Sequence, residues 1–95
     1  MIATRDVPPP FEAYSGEEPY AFVSYAHADK QLVYESMVWL RDNGVKIWYD
    51  EGIPPAGEWV EEIATAIKGA RLFLVFLTPH AVDSRYVRNE VGYAM

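Results

Sequence analysis

Hydrophobic positions along the chain switch between two periods. The run YAFVSYA, residues 20–26, is short, apolar and rich in β-formers. DKQLVYESMVWLRDNG then sets Val33, Met37 and Leu40 on one helical face, with Asp29 as a plausible N-cap and Gly44 as a stop. VKIWYD, residues 45–50, is strand-like again. EGIPPAGE, residues 51–58, is crowded with turn formers and excludes regular structure. WVEEIATAIKGA predicts a helix with Val60, Ile63, Ala64 and Ile67 facing inward. RLFLVFLT, residues 71–78, is apolar on both faces, which predicts a central parallel strand. PHAVD reads as a loop. Ser84 then caps a last helix on which Val87, Val91 and Ala94 form the apolar face.

The expected order is β-α-β-α-β-α, an α/β fold with a parallel sheet and right-handed crossovers. Residues 1–19 carry a triple proline and no period, so they are expected to form a loose tail or extended arm, which Phe11 and Tyr14 could dock. Residues 20–95 form the folded domain. The sequence stops in or just after a helix, so a following strand is expected to be missing, with one strand edge and one apolar helix face left uncovered.

Composition narrows the chemistry. Acidic residues outnumber basic ones 14 to 8, for a net charge of −6, which disfavours a broad nucleic-acid or anionic-membrane surface but leaves room for a local cationic pocket. The absence of cysteine removes disulfides, zinc-thiolate sites and thiol nucleophiles, and fits a reducing, cytoplasmic setting. His27 and His80 are too few and too isolated to argue for a metal, and His27 reads as an exposed loop residue. The apolar run LFLVFL is far too short to span a membrane, and the N-terminus lacks a signal pattern.

In such a sheet, ligands bind outside the carboxyl ends of the strands. No glycine-rich dinucleotide fingerprint follows the first strand, no phosphate loop occurs, and the third strand ends in Thr78-Pro79 rather than an acceptor aspartate. The candidates that survive are Tyr25, Trp48, Asp50, Trp59, Ser84, Tyr86 and Glu90. Glu90 is the odd one: a carboxylate at the edge of an apolar face, flanked by Tyr86 and Tyr93, with Arg85, Arg88 and Asn89 expected to point elsewhere. Five of them have a plainer reading. Glu90 could be a solvated or paired helix residue, Asp50 a turn cap, Trp59 a hydrophobic staple and Tyr25 a packing residue, while Trp48 fits the core better than a ligand wall. Glu58, Glu61 and Glu62 read as a solvated face at a helix start.

Four stretches, FVSYAHAD, VKIWYDEGIPPAGEW, ARLFLVFLTPHAVDS and SRYVRNEVGYA, in this order and spacing resemble the successive boxes of Toll/interleukin-1 receptor (TIR) domains of the prokaryotic type. The resemblance implies a flavodoxin-like sheet with two more strands after the third helix. It implies assembly with other TIR domains through the loop containing Gly52, Ile53, Pro54 and Pro55, fusion to a sensor or effector domain, and no direct nucleic-acid or membrane partner. Many relatives cleave NAD as a substrate, with no cofactor and no metal, and some cyclise the product. Their required acid closes a pattern like S-x-x-x-x-x-E, which here runs from Ser84 to Glu90. Ala26 stands where many animal members carry arginine, which puts a phosphate contact there in doubt. On this resemblance Glu90 is the catalytic residue, and Tyr25, Asp50, Trp59, Ser84 and Tyr86 surround the substrate. A non-catalytic interaction module and a nucleoside-handling transferase are the rival expectations.

Overall fold

The sheet is built around its first strand. In the computed structural model, which describes residues 8–52 and 59–95, with the side chains of Trp59 and Val60 outside that description, strand β1 (Ala21–Ser24) is buried along its whole length. It pairs in parallel with β2 (Ile47–Trp48) on one side and β3 (Leu72–Val75) on the other, in the order β2-β1-β3. The parallel α/β expectation is met. Among the described residues β1 lies between the other two strands, and Leu72 on β3 is 54% exposed. Among the described residues nothing pairs with its outer edge, so its apolar side chains are only half covered. The strands are also shorter than the apolar runs, because parallel pairing persists only where both partners stay extended.

Alternation along β1 sorts the core into two layers. Val23 and Tyr25 face helix α1 (Lys30–Asp42), where they pack with Val33, Tyr34 and Met37. Phe22 faces helix α2 (Trp59–Gly69), stacked between Trp48 at 5.2 Å and Phe73 at 5.3 Å, over Ile63 and Ile67. Trp48 is therefore a core residue, as its alternation suggested. Burying each such side chain stabilises the fold by roughly 1.5–3 kcal/mol.

Helix ends follow local chemistry with two departures. Gly44 takes φ 95° just past α1, the left-handed position that a glycine stop supplies. Asp29 does sit before α1 but makes no cap hydrogen bond. Its carboxylate is drawn away by the Thr78 hydroxyl and by His80 Nδ1 at 2.8 Å. The expected PHAVD loop is instead a short helix, α3 (Pro79–Asp83). Thr78 Oγ1 accepts from Ala81 N–H, and proline occupies the first turn where its missing N–H costs nothing. Helix α4 (Arg85–Ala94) follows, and Ser84 caps it by accepting from Val87 N–H at 3.2 Å.

The arm is not loose over residues 8–19. Tyr14 N–H donates to the Ile47 carbonyl at 2.8 Å, Phe11 lies edge-on to Tyr49 at 5.4 Å, and the Tyr49 hydroxyl donates to the Phe11 carbonyl. The arm thus blunts the outer edge of β2.

Candidate functional site

At the carboxyl end of β1, consecutive residues turn to opposite sides of the sheet. Ser24 points toward α4 and Tyr25 toward α1. A turn of 3-10 helix, Asp50–Gly52, follows β2 and brings Asp50 and Glu51 to the same end. The Ser84 cap fixes the first turn of α4, so Val87 enters the core and Glu90, nearly one turn on, comes to rest above Ser24.

Glu90 is 6% exposed, and its Oε1 accepts the Ser24 hydroxyl at 2.6 Å. The Asp50 carboxyl, 7% exposed, is near enough for its charge to act on Glu90. Burial pushes the Glu90 carboxyl up to about 8, and the Asp50 charge pushes the same way against the Ser24 hydrogen bond and the His27 charge. Near neutral pH the free site therefore holds a proton on Glu90.

Glu90 also forms part of the wall of a cavity of about 580 Å³ between α2 and α4. Ile63, Ala64 and Ile67 line one side; Arg85, Tyr86, Asn89 and Tyr93 line the other. That volume is in the range of small-molecule sites, which are largely apolar with a few fixed polar groups. Arg85 and Asn89 correct the expectation that they point elsewhere: α4 presents a wide stripe to the cavity, not one row.

The sequence-derived residues separate into groups. Glu90 and Tyr86 line the cavity, and Asp50 lies beside Glu90. Ser84 acts as the helix cap. Tyr25 is not on the cavity wall. It is 2% exposed, and its hydroxyl donates to Glu51 Oε1, which also accepts from the Tyr34 hydroxyl at 2.9 Å. The Trp59 side chain and Ile53, Pro54 and Pro55 lie outside the described residues; Gly52 ends the 3-10 turn.

His27 was misread as an exposed loop residue. Its Nε2 lies 3.3 Å from both Asp50 oxygens, and its ring stacks on Tyr86 at 4.8 Å. The Asp50 hydrogen bond raises the imidazole pKa, with burial opposing. No local period marks such a residue, because its partners sit on β2's turn and on α4. His27, Asp50 and Glu51 each bring one ligand atom within 4.8 Å of the others, a spacing that could hold a cation. The Lys30 ammonium, 3.0 Å from Glu51 Oε2, already supplies positive charge there.

The TIR domain family matches residues 21–95. A curated protein of Bacteroides thetaiotaomicron, the 2′ cyclic ADP-D-ribose synthase BtTIR, is 28% identical over 94 residues. The match covers 97% of this chain but 31% of that protein, so the chain spans about a third of its relative's length.

Proposed function

The chain belongs to the TIR domain family, and from that premise we propose that it is the NAD-cleaving module of its protein, releasing nicotinamide and leaving a linear or cyclised ADP-ribose. The observation that carries this reading is Glu90, a single buried carboxyl on the wall of an apolar cavity at the strand ends. Similarity to a cyclic ADP-ribose synthase supports it.

One carboxylate suits this reaction. The nicotinamide ring is cationic when attached and leaves neutral, so no acid need protonate it. Positive charge develops on the ribose in an oxocarbenium-like transition state. A carboxylate held in a site of low dielectric stabilises that charge far more than it would in water. The free site keeps Glu90 protonated near neutrality; a bound pyridinium favours the ionised form and draws its pKa down. The substrate thus promotes the charge its own transition state needs. In this reading Tyr86 and Tyr93 offer ring faces for a base, and Arg85, on the same wall, meets the diphosphate.

Self-assembly through the loop of Gly52, Ile53, Pro54 and Pro55 belongs to the same proposal. The rival interaction-module reading draws on exposed Leu32 and Trp39, at i and i+7 on α1. Incubation with NAD separates the two. Free nicotinamide from the wild-type protein, lost in a folded Glu90→Ala variant, supports the enzyme; equal release by both sinks it. Release of a free base from a deoxynucleoside instead would indicate the transferase.

A further inference from the structure

We propose that Ser24 is a positioning residue: its hydroxyl pins one oxygen of Glu90, Oε1, so that the other, Oε2, is the oxygen presented to the ribose. This rests on the NAD-cleaving reading above. Ser24 is the polar exception in its strand. β1 reads Ala21, Phe22, Val23, Ser24, and all four are buried. A buried hydroxyl costs stability unless it is hydrogen-bonded. Ser24 is 0% exposed, and its Oγ donates to Glu90 Oε1 at 2.6 Å. It does not line the α2–α4 cavity. Any effect it has on a substrate there passes through Glu90.

The acid needs such a hold. A glutamate has three torsions between its backbone and its carboxylate, and the last of them is broad. The Ser84 cap and buried Val87 fix the course of α4, but they act on its backbone and not on the tip of Glu90. The Asp50 charge disfavours an ionised Glu90 and pushes it away rather than holding it. Ser24, in contrast, is a firm anchor. It lies on the strand flanked by the other two, in register with Val75, and its carbonyl accepts the Phe76 N–H at 3.0 Å. A hydrogen bond from a fixed strand to a rotatable carboxylate sets the direction in which the second oxygen looks. Misplacing a group that stabilises a developing charge weakens the transition state more than the bound substrate, so the aim of Oε2 bears on kcat and little on KM.

The test measures nicotinamide release per folded molecule, in the full chain and on the alkaline plateau of the pH profile, for Ser24→Ala, Ser24→Cys and Ser24→Thr. Alanine lacks only the hydroxyl oxygen, so the packing persists. Ser24→Ala should lower kcat about fivefold and leave KM within about twofold. Ser24→Thr keeps the hydroxyl and should restore most of that rate, and the weaker thiol donor of Ser24→Cys should fall between. An unchanged kcat in Ser24→Ala overturns the proposal. So does a change confined to KM, or a Ser24→Thr rate no better than that of Ser24→Ala. A second measurement needs no substrate. The infrared carboxyl band of Glu90, identified by its loss in Glu90→Gln, should move to higher wavenumber in Ser24→Ala, as a carbonyl does on losing a hydrogen bond. A band that stays in place overturns the hold on Oε1. Failure of the wild type to release any nicotinamide overturns the NAD reading itself, and the positioning role with it; release that is indifferent to Ser24 overturns the positioning role alone.

Discussion

Two glutamates lie at the same end of the sheet and are tuned in opposite directions. Glu51, on the α1 side, is pushed up by burial. Hydrogen bonds from Tyr25, Lys30 and Tyr34 and the nearby His27 charge outweigh that and hold it below the ordinary carboxylate range. Glu90, on the α2–α4 side, is also pushed up by burial, and there the Asp50 charge adds to the effect; one serine hydroxyl is too little to reverse it. The difference is the number and charge of donors, not depth alone. Glu51 is a saturated structural carboxylate. Glu90 is a buried carboxyl beside another acid and on a cavity wall, and acids perturbed in that way cluster at functional sites.

The comparison is broken most severely at Glu90. Glu90→Gln should lower nicotinamide release by at least about 100-fold, because an amide cannot stabilise the ribose charge. Stability should move the other way. The folded-state pKa of about 8 lies above the ordinary 4.5, so between those values the folded protein holds a proton that the unfolded chain has lost. Stability therefore falls as pH rises across that window and levels off above it. The wild type should lose on the order of 4 kcal/mol between about pH 5 and about pH 9 by urea denaturation, and Glu90→Gln should lose much less. A residual slope of the same sign remains from His27, whose raised pKa gives stabilisation that is lost as pH increases. By the same titration, wild-type kcat/KM should climb as pH approaches about 8, since the ionised acid is the working form.

On the other side of the sheet the expected effect is structural. Glu51→Ala leaves the Tyr25 and Tyr34 hydroxyls without their acceptor and should destabilise the fold by about 1–3 kcal/mol. Turnover per folded molecule should persist; a loss as large as that of Glu90→Gln would erase the contrast between the two acids. The smallest change sharpens it. Ser24→Ala removes the hydroxyl donor to Glu90 and should shift the acid limb of the kcat/KM profile upward by about 0.7 pH units.

Much of the frame was legible from spacing alone. The alternation of strands and helices, the Gly44 stop, the Ser84 cap and the core role of Trp48 all rest on residues within a few positions of one another. Glu90 also announced itself locally, as a carboxylate on the edge of an apolar stripe. Where local reading failed, a distant partner had intervened. Asp29 lost its capping role to Thr78 and His80, and Tyr25 was drawn under the sheet by Glu51. His27 was fixed by Asp50 and Tyr86.

By itself, then, the amino-acid sequence determined the three strands, the three longer helices and the apolar stripe of each, because periodicity is a short-range property of the backbone. Only the tertiary structure decided that Ser24 and Glu90, 66 residues apart, share a proton donor and acceptor, and that Asp50 and His27 stand beside them. The ionisation of a carboxyl depends on the dielectric and charges within a few ångströms, and it is the fold that brings those charges together.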